Sequence, residues 1–157
     1  MRQDPTSPPQ PAEPSGEKLQ TDATSSIVGY RLRRAQLSVF QKFLSVFEAL
    51  KLRPVEYTVL VLIADNPGRK QTEIAEVLGI KRANFVPLVH GLEERGLVER
   101  IPSDADKRAN ALHLTQEGQT FMAHARSVHE TMEQDLVARL GGEKARKTLL
   151  DLLDRLM

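Results

Sequence analysis

The sequence predicts a mainly α fold with one small β-hairpin, and three observations carry that expectation. Apolar residues recur at steps of three and four along most of residues 27–157, the spacing of helix faces buried on one side. Two short helical patterns are joined by Gly79-Ile80-Lys81, which is the spacing of a helix-turn-helix. After Gly96, "LVERI" and "NALHLT" are strand-like runs bracketing the charged "PSDADKRA". The expected order is helix, helix, helix-turn-helix, hairpin, helix, helix.

The whole chain sets bounds on what such a fold can do. Its 157 residues suffice for one real core but not for two independent ones. The absence of cysteine removes disulfides, thiolate metal sites and cysteine nucleophiles together. No run of eighteen apolar residues and no charged-then-apolar leader is visible, so a soluble, cytoplasmic protein with no membrane partner is expected. Net charge is only +1, so bulk charge does not announce a nucleic-acid partner. Any such case has to come from where the charges sit.

Residues 1–24 hold five of the nine prolines and few apolar side chains. Such a run cannot bury enough surface to offset its ordering entropy, and a disordered tail is expected. From Ile27 to Leu50 the pattern turns helical, with one stripe of Val28, Leu32, Ala35, Val39, Phe43, Val46 and Leu50. A second stripe, Leu37, Phe40, Leu44 and Phe47, joins it in the later half. A helix apolar on two sides must be covered on two sides, and in so short a chain a partner subunit is the expected second cover. Pro54 stands just inside the next helix start, where its missing N–H costs nothing. Asn66-Pro67-Gly68 stops that helix, and "KQTEIAEVLGI" is a short one ended by Gly79. The hairpin loop looks too long for a tight two-residue turn and carries a charged tip. Thr115 then caps a long helix with Phe121, Ala125, Val128, Met132 and Leu136 on one side. Gly141-Gly142 breaks it before the amphipathic "EKARKTLLDLLDRLM".

The second helix of the helix-turn-helix, "KRANFVPLVHGLEERG", is the unusual segment. Lys81 and Arg82 open it, and Phe85, Leu88, Val89 and Leu92 form the stripe that would dock it on the core. Pro87 would remove a hydrogen bond to the Ala83 carbonyl if the helix starts near Arg82, costing up to ~3 kcal/mol in an ordinary interior. It would cost little if Asn84 were the N-cap. The earlier start is expected, with a local distortion over Ala83–Pro87. Gly91 costs about 1 kcal/mol relative to alanine and would be accounted for by a close neighbour.

"QTEIAEVLGI", "LVHGLEERGLVER" and "DKRANALHLTQEG" together resemble the winged helix-turn-helix of the MarR family of bacterial transcriptional regulators. The family's wing pattern is an aspartate, two basic residues, three variable positions, then Leu-x-Leu-Thr-x-x-Gly. Asp106, Lys107, Arg108, Leu112, Leu114, Thr115 and Gly118 fit it throughout. The resemblance implies one domain over 25–157, with dimerisation helices at 27–52 and 116–157 and the winged helix-turn-helix at 54–115. It implies a homodimer on double-stranded operator DNA, an inverted repeat, that loses affinity when a small ligand binds. The residues carried over as DNA-facing are Thr72, Lys81, Arg82, Ala83, Asn84, Lys107 and Arg108, with Asp106 orienting the wing. Chemistry agrees: a helix start with two cations favours phosphate, Asn84 suits adenine, and a wing arginine suits a narrow minor groove. Where relatives often carry a polar or basic residue this chain has Pro87, so base readout is not expected from that position and contact is expected to concentrate at 81–84.

An effector is also expected. "YRLRR" clusters Arg31, Arg33 and Arg34 near the start of the first helix, beside Tyr30. Phe40, Phe43, Phe47 and Tyr57 follow in helices that border the family's usual ligand pocket. Aromatic walls suit a planar aromatic acid, and arginines suit a carboxylate or the phosphates of a CoA thioester. An aromatic acyl-CoA is therefore preferred to a free phenolic acid. The competing reading makes the phenylalanines dimer core and leaves the arginines to solvent or DNA phosphates.

No enzyme, cofactor or metal site is expected. "HETME" has Glu133 where a zinc-protease helix needs its second histidine, and His124 and His129 are wrongly spaced to share a helix face. His90 and His113 add no ligand pattern, and "LGGEKARK" lacks the P-loop spacing. The rival function is a winged helix used as a protein-interaction module without DNA contact, which the near-neutral charge would suit.

Overall fold

The structure is a computed structural model that describes residues 21–103 and 106–157, with side chains described except at 103–110. Most of the expected tail, 1–24, lies outside the described residues. At its end, however, Asp22–Ser25 form one helical turn, α1, with Thr24 Oγ1 donating to the Thr21 carbonyl. A local side-chain bond of this kind can hold a turn without any core. The chain divides into two compact units, Met1–Gln36 and Leu37–Met157. The first holds α1 and the opening turns of α2 (Val28–Val46).

In the second unit Phe43 of α2 and Phe47, just past its end, are buried, while Leu37, Val39, Phe40 and Leu44 are exposed. The helix expected to reach Leu50 stops at Val46 and tightens into a 3₁₀ turn, Glu48–Leu50. Lys51 then adopts φ 47, a left-handed conformation rare for a side-chain-bearing residue, and redirects the chain. Pro54 opens α3 (Pro54–Asp65) at its first position, as expected. After Gly68 a two-residue strand, β1 (Arg69–Lys70), runs straight into α4 (Gln71–Val77). Gly79, at φ 63, ends α4 and leads to α5 (Arg82–Glu94).

The hairpin differs from its expected form. Strands β2 (Val98–Ser103) and β3 (Asp106–Leu114) run further into the charged segment, leaving two residues between them. The register slips between Pro102 and Ser103, which absorbs a proline in the ladder. A third strand also escaped the sequence reading: β1 pairs with β3 through Arg69↔Leu112 and Lys70↔Ala111, giving the order β1-β3-β2. Leu112 sits in the middle strand and is fully buried.

Thr115 caps α6 (Gln116–Leu140), its Oγ1 accepting the Gly118 N–H at 2.9 Å. Gly141 and Gly142, at φ 97 and 100, separate it from α7 (Glu143–Asp154). One continuous core joins Phe43 and Phe47, the α3 residues Val59, Leu60 and Ile63, and the α5 stripe Phe85, Val89 and Leu92. It extends through Leu97, Val98 and Leu112 of the wing to Met122, Ala125 and Met132 of α6. Each large side chain so buried contributes roughly 1.5–3 kcal/mol. The expected helix-turn-helix is therefore packed into the same core as the wing and the long helix.

Two glycines behave oppositely. A Cβ on Gly118 would lie 2.0 Å from the Leu97 carbonyl oxygen, so α6 can meet the strand start only with glycine there. Gly91 has nothing within 4 Å of the same position, which corrects the expectation of a close neighbour. Gly118→Ala should lower stability by at least ~1–3 kcal/mol, as overpacking does. Gly91→Ala should raise it by up to ~1 kcal/mol. Urea denaturation of the two variants checks both signs, and equal effects would contradict this packing.

Candidate nucleic-acid interface

The recognition segment is built from inside outward. Phe85, Val89 and Leu92 are completely buried, and Leu88 packs against them. That anchoring turns Lys81, Arg82, Ala83 and Asn84 outward, and all four are exposed, as is Thr72 on α4. The helix does begin at Arg82, with Lys81 as N-cap. The Lys81 carbonyl accepts from both Asn84 (2.9 Å) and Phe85 (3.1 Å), and the helix then continues unbroken through Pro87. Ala83 and Pro87 are exposed, so the bond that proline deletes lies on the solvent side. No side chain caps the start of α5. Its first N–H groups, two cations and the positive dipole end therefore point to solvent together, an arrangement that suits a phosphate.

Position and tilt of α5 are set at its other end. Arg95, just past the last turn, donates from Nη1 to the Lys51 carbonyl (3.2 Å) and from Nη2 to the Leu50 carbonyl (3.0 Å). Its guanidinium also lies 3.9 Å from the Glu56 carboxylate and 5.4 Å from the Phe121 ring centre. Glu56 is the one buried charged side chain among the described residues. Its burial alone would raise its pKa. Hydrogen bonds from the Arg53 guanidinium (2.6 and 3.0 Å) and backbone N–H (2.8 Å), with the charges of Arg53 and Arg95, outweigh that and hold it below the ordinary 4.5. On the wing side, Arg100 reaches Glu93 of α5 at 2.8 Å and Gln71 of α4 at 3.2 Å. Sequence reasoning missed Arg95 and Arg100, whose partners are distant in the chain.

The other expected DNA contacts, Lys107 and Arg108 with the orienting Asp106, belong to β3, but their side chains lie outside the described residues. β1 ties the backbone of that strand to the start of α4, so wing and helix-turn-helix share one sheet.

The expected effector residues fall in different settings. Phe43 and Phe47 stack on each other, ring centres 3.9 Å apart, and both are buried. Tyr57 joins them at 5.3 Å from Phe47 and stacks on His129 of α6 at 4.7 Å. Burial pushes the Tyr57 hydroxyl above its ordinary pKa. Phe40 is exposed. In the first unit Arg31 and Arg34 are exposed, and Arg34 donates to the Tyr30 hydroxyl at 3.3 Å. His129 is an aromatic partner the sequence did not single out as such. A separate cavity of about 500 Å³ opens between the end of α3 and the start of α6, with Arg126 paired to Asp65 at its edge.

Comparison with known proteins gives a consistent set of likenesses. A profile of the MarR family matches residues 50–109. The proposed transcriptional regulatory protein for the hcr operon of Thauera aromatica is 33% identical over 147 residues, covering 93% of this chain and 88% of that protein. The transcriptional repressor CouR, solved on a 23-mer DNA duplex, is 41% identical with a TM-score of 0.84, over 89% of this chain and 99% of that one. CouR solved with p-coumaroyl-CoA is 40% identical with a TM-score of 0.78, over 88% and 97%.

The Glu56 pairing makes a pH-dependent contribution of definite sign. A carboxylate held below 4.5 in the fold stabilises fully above that value and loses its contribution as pH falls through the folded value. Glu56→Gln should cost up to ~3 kcal/mol at neutral pH and flatten the acid limb of the stability profile. Denaturation midpoints from pH 7 downward check this. Parallel acid limbs in both proteins would rule it out.

Proposed function

We propose that this chain, which belongs to the MarR family of transcriptional regulators, is a homodimeric repressor of an inverted-repeat operator that an aromatic acyl-CoA thioester releases. One observation carries the DNA half of this reading: an uncapped, cationic helix start is held outward on a fully buried stripe. It occurs in a chain 41% identical to a repressor solved on a DNA duplex. Lys81 and Arg82 are assigned to phosphates, Asn84 to a base edge, Thr72 and Ala83 to the same surface. Lys107 and Arg108 are assigned to the minor groove, with Asp106 orienting Arg108.

Dimerisation follows from uncovered apolar surface. Leu37, Val39, Phe40 and Leu44 on α2, and Leu149, Leu150 and Leu152 on α7 with Leu156 just past its end, are exposed in the single chain. Covering such faces in an obligate pair typically buries more than ~2,000 Å². A two-fold dimer then presents two copies of α5 to half-sites about one helical turn apart.

The effector reading is supported by the likeness to CouR solved with p-coumaroyl-CoA and by the aromatic stack. An aryl group entering beside Phe43, Phe47 and Tyr57 has to repack it; Tyr30, Arg31 and Arg34, in the first unit, are assigned by their own chemistry to phosphate. Phe47 adjoins the 3₁₀ turn whose Leu50 carbonyl Arg95 holds, so a shift there reaches the end of α5 through two contacts. Release requires the thioester to prefer the DNA-incompetent arrangement; moving from 1:99 to 99:1 takes roughly 5.5 kcal/mol.

One binding series tests the reading. Duplexes selected from a random pool should be palindromic and should bind a particle of twice 17.6 kDa. Asn84→Ala should erase discrimination at one base pair, about 1–3 kcal/mol. Arg108→Ala should lower the salt slope by ~0.9 for a single phosphate contact. p-Coumaroyl-CoA should displace the duplex, p-coumaric acid should do so poorly, and Arg31→Ala/Arg34→Ala should weaken the thioester alone. Absence of binding to any duplex at low salt would favour the protein-interaction reading, and indifference to both ligands would remove the effector assignment.

A further inference from the structure

Over its first two turns, the face of α5 turned away from the core carries Ala83 and Pro87 and no polar side chain. At about 100° per residue, Ala83, Pro87, His90 and Glu94 lie opposite the buried arc of Phe85, Val89 and Leu92, and Val86 lies on its flank. Ala83 and Pro87 are exposed and Val86 is 40% exposed. None of the three side chains has a hydrogen-bond donor or acceptor. Valine and proline are also among the poorer helix formers, and alanine at 86 or 87 would serve an exposed position better. Packing within the chain does not call for proline at the exposed position 87.

From the DNA-binding reading above, on which this inference rests, we infer that α5 reads its half-site through thymine C5-methyl groups contacted by Ala83, Val86 and Pro87. The methyl is the one hydrocarbon group that base edges present in the major groove. The surroundings are complementary to such a site: Lys81 and Arg82 stand at the helix start for phosphates, and Asn84 flanks the apolar patch. Asn84 suits adenine, the base paired to thymine, so polar and apolar contacts call for the same A·T pairs. Pro87 thereby gains a role that hydrogen-bond readout denied it. His90 bounds the patch, 3.4 Å from Glu94, where the face turns polar again.

The test separates the methyl from everything else about the base. A duplex enriched from a random pool is remade with deoxyuridine replacing thymidine at one half-site position at a time, which deletes only the methyl. At one or more positions the Kd should rise about fourfold, the equivalent of ~0.8 kcal/mol for one buried carbon. Val86→Ala, at a partly exposed position, should weaken the thymine duplex by a similar factor and become insensitive to uridine at one of those positions. Unchanged affinity on full uridine replacement, with selectivity over scrambled DNA retained, would overturn this inference alone. Failure to enrich any sequence would overturn the operator reading and this one with it.

Discussion

The grip of Arg95 on the Leu50 and Lys51 carbonyls is the constraint from which the rest of the arrangement follows. Phe85, Val89 and Leu92 fix how deep α5 sits, but a buried apolar stripe is non-directional and leaves a helix free to slide or tilt. Arg95 removes that freedom by tying the end of the helix to the turn that follows α2, to Glu56 at the start of α3 and to the Phe121 ring on α6. A planar guanidinium can meet several acceptors in one fixed geometry, which a lysine could not. Arg95 also adds its charge to the Arg53 hydrogen bonds that compensate the Glu56 carboxylate, which would otherwise be costly to bury.

Around that tether the fold keeps its functional surfaces apart while joining them mechanically. The start of α5 points to solvent, leucines of α2 and α7 are exposed, and the aromatic stack lies at the Phe47 end of the 3₁₀ turn. Lys51, strained at φ 47, sits where these paths meet. A residue held in a sparsely populated backbone region by its surroundings is a natural place for two packings to interconvert. The wing is coupled separately, through the Arg100 contacts to Glu93 and Gln71 and through the pairing of β1 with β3.

Much of this was legible in the sequence wherever a local rule sufficed. Pro54 at a helix start, Thr115 as a cap and Gly79, Gly96 and Gly141 at positive φ are backbone requirements that single residues reveal. The α5 stripe was legible because burial imposes a period. What escaped depends on partners far along the chain. β1 is two residues long and has no period to detect. The strands extend through Pro102 because their backbones find each other, whatever the side chains prefer. Gly118 fits a motif, but its reason is a carbonyl twenty-one positions earlier, that of Leu97. Phe43 and Phe47 fall on different stripes of the sequence pattern, and only packing shows that they stack on each other in the core. Their family membership could be read from the wing pattern, yet the wing's own side chains lie outside the described residues.

The most direct test of the central claim is the salt dependence of duplex affinity in Arg95→Met. Methionine keeps much of the apolar contact with Phe121 and removes the hydrogen bonds to Leu50 and Lys51. Loss of alignment at α5 should weaken binding to a selected duplex by at least ~10-fold, about 1.4 kcal/mol, with the slope of log K against log salt unchanged, since Arg95 meets no phosphate. Undiminished affinity would show that the apolar stripe alone orients the helix, and a shallower slope would mean that Arg95 is itself a DNA contact; either result would contradict the account.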